Sequence, residues 1–343
     1  MSPNNGQADI PTIERHIDDF RRAVKAASVG LPCVQIAADA ICIAQDLASV
    51  QRAMDPGGEI RLTILAVVHG NEVAGLPIVT KLLNQILSGA IRLQAPIGIA
   101  LGNTEAALLG QRFIDQDLNR SFGAPVNHSR EAQRARELQD LLARSQFLLD
   151  IHQTREPSQS AFFIFPWQRK SFDFARRISR ELPVVTHWGG AFSKDGMCSD
   201  EFVNAKGGTG ITLELGQAGF DEDQIAIGLA CSLQALETTG SADGGPNKLR
   251  KKVHNPGALY TWNGIIPYPP TGDVALVPGL INFQMVAARD LIAKHDGQDI
   301  FAPVSGRILF PKYIRPGSPE FGGPRPAELC RIMKTITEEE LPS

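Results

Sequence analysis

The sequence predicts an α/β protein in which a mixed, mostly parallel sheet is covered by helices and is followed by a smaller β-rich part. Two observations support this fold class. Apolar runs of strand length alternate with segments of helical periodicity over residues 11–238. A cluster of chain-breaking residues at 241–246 then precedes short strand-like runs that are divided by proline and glycine. We therefore expect an α/β domain at 1–243 and a β-rich domain at 244–343.

Five segments have the spacing of apolar residues that is typical of amphipathic helices. They lie at residues 11–28, from Glu72 to about Gly89, and at 130–145, 171–182 and 222–238. In the first segment, Ile13, Ile17 and Phe20 recur at intervals of three or four and predict one apolar face. Ser129 is suited to cap the third helix, because its hydroxyl can accept a hydrogen bond from a backbone N–H of the first turn.

Four apolar runs predict strands buried in the sheet. They are residues 60–68, 96–101, 147–152 and 210–216. Polar side chains lie at or just beyond the carboxyl ends of the first three runs, and inside the fourth. Because open α/β sheets bind ligands at the carboxyl ends of their strands, these side chains are expected to meet at one site.

A zinc site is predicted at the ends of two of these strands. His69 and Glu72 follow the first run, and His152 ends the third. Imidazole nitrogen and carboxylate oxygen are zinc ligands, and a catalytic zinc needs three protein ligands with one position open. The pattern therefore predicts one zinc ion per chain, held by these three side chains. The alternatives are a chance His-x-x-Glu sequence and a half-buried His152 paired with Asp150, which shares its face of the strand.

Glu214 places a single carboxylate inside the apolar run 210–216. Burying such a group is costly unless it is paired or faces a cleft. A buried glutamate with a raised pKa suits the role of general base, so Glu214 is the predicted base. The alternative is an outward-facing side chain on an edge strand, which Gly210 and Gly216 disfavour because they suggest a close approach of other groups.

A polar segment, residues 102–123, follows the second strand run. In it Arg112 and Arg120 bracket Asp117 and Asn119. Arginine presents a planar fork to a carboxylate or to a developing oxyanion, and asparagine adds a donor and an acceptor. The segment is therefore a candidate substrate-binding loop. The alternative is a solvated loop with surface ion pairs.

Taken in order, these motifs resemble the succinylglutamate desuccinylase/aspartoacylase family of the zinc carboxypeptidase superfamily. The motifs that carry the resemblance are His69-Gly70-Asn71-Glu72, Arg112 with Asp117-Leu118-Asn119-Arg120-Ser121-Phe122, Asp150-Ile151-His152-Gln153-Thr154 and Thr212-Leu213-Glu214-Leu215-Gly216. Short stretches at 280–283, 291–297 and 308–311 extend the similarity to the C-terminal β domain of the desuccinylase branch. The resemblance implies a zinc carboxypeptidase-like fold.

The resemblance also implies roles for individual side chains. It implies that His69, Glu72 and His152 bind zinc and that Glu214 transfers the proton. Arg112 would polarise the scissile carbonyl, and Asn119 and Arg120 would bind the substrate α-carboxylate. Asp117 would orient the arginines, and Asp150 would orient a zinc ligand. Apart from these roles, Arg155 and Lys206 are the nearest basic residues by sequence that could bind further carboxylates of the substrate. The alternative for both, and the favoured one for Lys206, is a solvated surface charge.

The implied activity is zinc-dependent hydrolysis of the amide bond of an N-acyl amino acid. N-succinylglutamate, cleaved to succinate and glutamate in arginine catabolism, matches best. Aspartoacylase-like deacylation and zinc carboxypeptidase action on short peptides are the enzymatic alternatives. A metal-retaining binding protein without turnover is the non-enzymatic one, which the presence of both Glu214 and Arg112 disfavours.

Composition is consistent with a small-molecule enzyme. The formal net charge is −3 with 21% charged residues, which gives no electrostatic footprint for nucleic acid or an anionic membrane. The five scattered cysteines lack a Cys-x-x-Cys pair and indicate reduced thiols. No stretch resembles a signal peptide or a membrane span, so a cytoplasmic location is expected. A homo-oligomer is compatible with the sequence, which does not determine the oligomeric state.

One feature of the C-terminal part favours a different class of protein. Residues 302–308 resemble the strands of lipoyl- and biotin-carrier domains, and Asp296-Gly297 predicts a hairpin turn. A carrier presents its modified lysine at such a tip, but here Lys294 precedes the turn. We therefore expect a packing or lid role for this part of the chain.

Overall fold

A twelve-stranded mixed sheet forms the centre of this computed structural model. The structure describes residues 8–125, 127–188, 196–240, 256–315 and 325–342. The strands are β1 (Cys33–Ala37), β2 (Ala40–Ile43), β3 (Ile60–Ala66), β4 (Ile97–Leu101), β5 (Ser145–Thr154), β6 (Phe162–Pro166), β7 (Val184–His187), β8 (Thr209–Gln217), β9 (Leu259–Pro267), β10 (Val274–Leu276), β11 (Met285–Val286), β12 (Leu291–His295), β13 (Gln298–Phe301), β14 (Gly306–Leu309) and β15 (Glu328–Ile336). The large sheet has the order β1-β2-β4-β3-β5-β8-β6-β7-β9-β15-β14-β11, and β10, β12 and β13 form a separate sheet.

The four strands β4, β3, β5 and β8 are mutually parallel. Beyond them β6 runs antiparallel to β8, and β7 and β9 then run parallel to β6. Antiparallel pairs complete both ends of the sheet. This mixed α/β sheet, with strands added from the C-terminal part, confirms the predicted fold class. The predicted domain boundary at 243/244 lies outside the described residues and stays a prediction.

Eight α-helices are present in the described parts of the chain. They are α1 (Ile10–Gly30), α2 (Leu47–Met54), α3 (Gly75–Leu87), α4 (Thr104–Leu108), α5 (Arg130–Ala143), α6 (Arg169–Ile178), α7 (Ser199–Ala205) and α8 (Glu222–Gly240). Five of them match the predicted helices, and Ser129 caps α5 by accepting from Ala132 N as expected. Helix α6 ends at Ile178, four residues before its predicted end, because the Ser179 hydroxyl accepts from Leu182 N and turns the chain.

Helices cover both faces of the sheet. One apolar cluster joins the sheet to α1, α3, α6 and α8, and a second joins the other face to α2, α5 and α7. Strand β3 contributes to both, since Leu62 and Ile64 point into the first cluster while Leu65 points into the second. Among the described helices, none is both long and apolar enough to span a bilayer.

The predicted hairpin is present between β12 and β13. His295 pairs with Gln298, and the two turn residues Asp296 and Gly297 have φ angles of 48° and 79°. Two successive positive φ angles are the signature of the tight hairpin turn that Asp-Gly favours. The strands that lead to this turn belong to the separate three-stranded sheet.

Candidate metal centre

The candidate site lies where parallel strands of the large sheet end side by side. Strand β5 lies between β3 and β8, and His152 is directly paired with Glu214 across the two strands. A cavity of about 270 Å³ opens at this edge. Its lining includes the predicted zinc ligands, the predicted catalytic side chains and the candidate substrate-binding residues of the polar segment, namely His69, Glu72, Arg112, Asp117, Asn119, Arg120, His152 and Glu214.

The backbone beyond β3 is bent to bring His69 into the cavity. Val67 has a φ of 59°, a conformation that is rare for a β-branched residue and is strained. This bend ends the strand at Ala66, two residues before the predicted end. Gly70 lies where there is no room for a side chain, because a Cβ there would be 2.4 Å from Ala107 N. The close approach of α4 therefore requires glycine at this position.

Three buried side chains converge to form a possible metal site. Glu72 Oε1 lies 2.8 Å from His69 Nδ1, and Glu72 Oε2 lies 2.9 Å from His152 Nδ1. The two Nδ1 atoms are 3.2 Å apart. One ligand atom from each of the three residues falls within 4.8 Å of the others. This set of two imidazoles and one carboxylate has the chemistry and the spacing that zinc requires.

A carboxylate lies next to the Nε2 atom of each histidine, on the side of the ring away from Glu72. Asp150 Oδ2 lies 2.9 Å from His152 Nε2, and Asp117 Oδ1 lies 3.1 Å from His69 Nε2. Such a carboxylate fixes the ring orientation of a metal-binding histidine and raises the basicity of the nitrogen that faces the metal. Asp150 is itself held by the Ser199 hydroxyl, at the first residue of α7. The arrangement therefore fits a zinc site with Nδ1 of each ring as the ligand atom.

The charges of the cluster are strongly coupled. Burial alone would raise the pKa of the Glu72 carboxyl, but His69 and His152 hold it well below its usual value. Burial alone would lower the pKa of His152, but Asp150 and Glu72 hold it well above its usual value. Without a metal, the cluster thus favours a negative Glu72 and a protonated His152, and a bound divalent cation would take the place of the imidazole proton.

Glu214 faces the cavity from an interior strand. Strand β8 lies between β5 and β6, and only 8% of Glu214 is exposed. Its Oε2 atom is buried without a hydrogen-bond partner among the residues that the structure describes. Burial raises the pKa of this carboxyl, and the negative Glu72 adds to the shift. A carboxylate of this kind can accept a proton from water and release it again.

Arg112 crosses from the polar segment to the metal centre. Its Nη1 donates to Glu72 Oε1 at 2.9 Å, and its Nη2 lies 2.7 Å from His69 Nε2 and 3.6 Å from Asp117 Oδ2. The guanidinium is therefore a fixed positive charge beside the cluster. Together with His69, it also holds the pKa of Asp117 well below its usual value, although burial opposes this.

Asn119 and Arg120 lie on a short 3₁₀ helix, Leu118–Arg120, whose first turn is capped by Asp117. Asn119 Oδ1 accepts from Ser199 N at 3.0 Å. Arg120 Nη1 lies 2.9 Å from Cys198 Sγ and 2.5 Å from the Asn119 carbonyl oxygen. Both side chains are thereby held at the cavity wall.

The sequence did not identify the residue that shapes the polar segment. Glu131, at the start of α5, is 1% exposed and accepts from the backbone N–H groups of Ile114, Asp115 and Gln116. No local pattern reveals this role, because an acidic residue in the first turn of a helix is ordinarily a solvent-exposed partner of the helix dipole. Its contacts hold the loop between Arg112 and Asp117.

The two basic residues suggested for further carboxylates lie in different places. Arg155 lines the cavity, just beyond the end of β5. Lys206 lies at the end of α7, exposed, with its Nζ 5.4 Å from the centre of the Phe202 ring, and does not line the cavity. Lys312 and Glu328, from the C-terminal part, also reach the cavity, and sequence reasoning missed both.

Comparison with known proteins gives consistent results. The model of the succinylglutamate desuccinylase/aspartoacylase catalytic domain matches residues 59–238. Succinylglutamate desuccinylase of Pseudomonas fluorescens (strain Pf0-1) is 32% identical over 181 residues, which cover 48% of this chain and 52% of that protein. The same-named protein of Yersinia pestis (strain Pestoides F) is 27% identical over 73% of this chain and 79% of its own length. The chain thus spans about half the length of the first of these relatives.

Solved structures show the same fold. The succinylglutamate desuccinylase of Chromobacterium violaceum superimposes with a TM-score of 0.64 at 20% identity, covering 95% of this chain and 98% of that one. Murine aminoacylase 3 superimposes with a TM-score of 0.59 at 20% identity, over 81% and 97% of the two chains. At these identities the similarity establishes the architecture and leaves the substrate open.

Proposed function

Because this chain belongs to the succinylglutamate desuccinylase/aspartoacylase family, we propose that it is a zinc-dependent hydrolase that removes the acyl group from an N-acyl amino acid. The observation that carries the proposal is the buried cluster of His69, Glu72 and His152 at an open cavity, with Glu214 beside it. These three ligands would hold the zinc ion. When bound, zinc supplies Lewis-acid chemistry that polarises a carbonyl and makes water more acidic.

Glu214 moves the proton in this proposal. Its carboxylate accepts a proton from the attacking water as the new C–O bond forms at the amide carbon. The same group then gives the proton to the amide nitrogen as the C–N bond breaks, which releases a carboxylic acid and an amine. The raised pKa that burial confers on Glu214 suits both steps, because the group must hold the proton between them.

Arg112, Asn119 and Arg120 would position the substrate and stabilise its charge. The Arg112 guanidinium, fixed beside Glu72, lies where it can stabilise the oxyanion that develops on the carbonyl oxygen. Arg120 and Asn119 would bind the α-carboxylate, with Asp117 holding the loop that carries them. These groups are in place before substrate binds, so little reorganisation is needed during the reaction.

The best-matched substrate is N-succinylglutamate, whose hydrolysis is a step of amino-acid catabolism. It carries three carboxylates, and Arg155 at the cavity wall is a second cation, beyond Arg120, that could bind one of them. Support comes from the relatives named succinylglutamate desuccinylase at about 30% identity. Aspartoacylase-like deacylation is the second candidate, since the matched family model covers both activities.

The test compares kcat/KM of the zinc-loaded protein for N-succinylglutamate, N-acetylaspartate, N-acetylglutamate and a short peptide. We expect N-succinylglutamate to be hydrolysed best. Preference for an acetyl group would contradict the desuccinylase assignment and leave the deacylase chemistry intact. Preference for the peptide would indicate a carboxypeptidase. Zinc binding without hydrolysis of any of the four would indicate a binding protein.

A further inference from the structure

Lys312 reaches the candidate active site from the C-terminal part of the chain. It lies just beyond β14, in a segment that is anchored on both sides. Phe310 N donates to the buried Asn282 Oδ1 at 2.7 Å, and Lys312 N donates to the Leu329 carbonyl at 2.9 Å. Three residues later, Arg315 forms a two-pronged ion pair with Glu156, at 2.6 and 2.7 Å. The ammonium group is therefore carried by a fixed backbone.

Among the described residues, the ion pair of Lys312 is incomplete. Its Nζ lies 3.4 Å from Glu328 Oε1, a long contact. Both oxygens of Glu328 are 2.9 Å from Arg331 Nε, so this carboxylate is already paired. The three side chains are 25%, 10% and 11% exposed for Lys312, Glu328 and Arg331. In the part of the chain that the structure describes, Lys312 thus shares its one acidic partner with Arg331 in a partly buried place.

The incomplete pairing of the Lys312 ammonium costs free energy in the free protein. Burial lowers the pKa of Lys312, Glu328 raises it, and Arg331 and Arg112 lower it further. A partly buried ammonium without a full partner is stabilised by any anion that enters the cavity. Arg155 lies nearby on the same wall, with its Nη2 3.4 Å from the carbonyl oxygen of Tyr313, the neighbour of Lys312.

We infer that Lys312 binds a carboxylate of the substrate other than the α-carboxylate, and thereby selects N-acyl amino acids that carry a further acidic group. This inference rests on the proposed function and deepens it. The carboxylate completes the pairing that Glu328 leaves incomplete. It has two possible sources, namely the far end of a dicarboxylic acyl group and the acidic side chain of the amino acid. Lys312 is thus a specificity-determining residue supplied by the C-terminal part of the chain.

The test measures binding, so that it does not depend on turnover. In a Glu214→Gln background, the dissociation constant is determined by calorimetry for four ligands: N-succinylglutamate, N-acetylglutamate, N-succinylglutamine and N-acetylglutamine. N-succinylglutamate carries both the acyl and the side-chain carboxylate, and N-acetylglutamine carries neither. N-succinylglutamine carries only the acyl carboxylate, and N-acetylglutamate carries only the side-chain carboxylate. Each is measured with Lys312 present and with Lys312→Met. Lys312→Arg keeps the charge, and Lys206→Met removes an exposed lysine outside the cavity.

Lys312→Met is expected to weaken binding of the ligands that carry the contacted carboxylate by about ten- to hundredfold, the range of a charge-assisted hydrogen bond. Binding of N-acetylglutamine should change by less than about threefold. A loss confined to both succinyl ligands identifies the acyl end as the source, and a loss confined to both glutamate ligands identifies the side chain. Lys312→Arg should keep the preference, and Lys206→Met should leave all four constants unchanged.

Equal weakening of all four ligands overturns the inference, as does the absence of any effect or of measurable binding. Thermal unfolding of the variants separates a lost contact from a lost fold. The fold should persist, because Glu328 keeps its contact with Arg331. Failure of the proposed function has a different signature. In that case the chain with Glu214 intact hydrolyses none of the four compounds, whatever the binding constants are.

Discussion

His152 Nδ1 faces both the His69 imidazole and the Glu72 carboxylate in a buried place, an arrangement that fits a metal ligand. We expect His152→Ala to lose zinc, because two remaining ligands bind far more weakly than three. Zinc content of the purified protein is measured by mass spectrometry, with the exposed His128→Ala as the control. Full zinc content in the His152→Ala protein would remove this residue from the site.

A variant at Glu214 distinguishes an enzyme from a protein that only binds zinc and ligand. Glu214→Gln keeps the size and shape of the side chain but cannot accept a proton, so kcat should fall by about two to four orders of magnitude. Zinc content should stay near one per chain, because the three ligands are unchanged. The measurement is kcat on the best substrate together with zinc analysis. A variant that keeps most of its activity would show that Glu214 has a structural role and that another group moves the proton.

For single residues, the sequence was informative wherever a polar side chain lies in or just after a recognisable strand. The convergence of His69, Glu72, His152 and Glu214 could be predicted because strand ends in a parallel sheet meet at one edge. Lys312 could not, because it lies 98 residues beyond Glu214 and reaches the cavity only through tertiary contacts of the C-terminal strands. Local patterns carry no information on such contacts.

At the scale of single elements, Glu131 links α5 to the polar segment. The carboxylate accepts from three consecutive backbone N–H groups, and Glu131→Gln replaces one accepting oxygen with a donor that cannot accept. We expect a loss of about 1–3 kcal/mol in the free energy of unfolding and a rise in KM, because Arg112 and Asp117 lose their support. Urea unfolding and steady-state kinetics measure the two effects.

Glu137→Gln on the exposed side of the same helix is the matched control. It weakens only the ion pair with Arg134, so it should change the free energy of unfolding by less than about 0.5 kcal/mol and leave KM unchanged. If Glu131→Gln lowered stability but left KM unchanged, the loop would be held by other contacts. The polar segment was correctly located from the sequence, but its buried anchor lies outside it. A helix boundary can be predicted from Ser129, whereas the partner of the adjacent Glu131 depends on how the loop folds back.

The first helix is tied to the β1–β2 turn by an ion pair that makes stability depend on pH. Arg21 Nε and Nη2 donate to the two oxygens of Asp39 at 2.8 Å, and the Asp39 side chain is 5% exposed. Burial opposes ionisation of this carboxyl, but Arg21, Thr104 and Arg134 together lower its pKa below 3.8. Asp39 therefore stabilises the folded state above its unfolded pKa and loses this effect as pH falls through its folded pKa.

Asp39→Asn tests this, and asparagine tolerates the φ of 53° at this position. At pH 7 the variant should be about 1–2 kcal/mol less stable, a range that allows for the half-exposed Arg21. The difference should remain constant down to about pH 4 and shrink below it. Denaturant unfolding between pH 3 and pH 7 provides the measurement. A difference that grows on acidification would contradict the assigned sign.

At the scale of the whole molecule, the alternation of strands and helices was enough to predict the α/β class and the edge that carries the site. It was not enough to predict that β9 and β15 continue the same sheet. Strand β15 pairs with β9 from about seventy residues further along the chain, and such pairings depend on tertiary contacts that periodicity does not encode. The part of the chain expected to pack on the site or cover it thus also extends the sheet of the α/β part.

Asn282 connects this C-terminal part to the site. It is fully buried, its Nδ2 donates to the carbonyl oxygens of Glu156 and Pro157 at 3.1 Å, and its Oδ1 accepts from Phe310 N at 2.7 Å. Asn282→Ala removes these three hydrogen bonds and leaves Phe310 N without its partner, whereas the carbonyl oxygens of Glu156 and Pro157 keep the bonds from Thr154 Oγ1 and from the backbone N–H of residue 282. The free energy of unfolding should therefore fall by about 2–4 kcal/mol. Catalytic efficiency should fall as well, because the backbone on both sides of the cavity loses its shared support.

The matched control is Asn263→Ala, which removes an exposed side chain whose one hydrogen bond, to the Ser305 carbonyl oxygen, is 3.5 Å long. It should cost less than about 0.5 kcal/mol. Urea unfolding gives the stability of both variants, and kcat/KM is measured well below the unfolding transition. If Asn282→Ala lowered stability while kcat/KM stayed the same, the C-terminal strands would stabilise the molecule without shaping the active site. A joint loss is expected because Asn282 holds both the segment after His152 and the segment before Lys312.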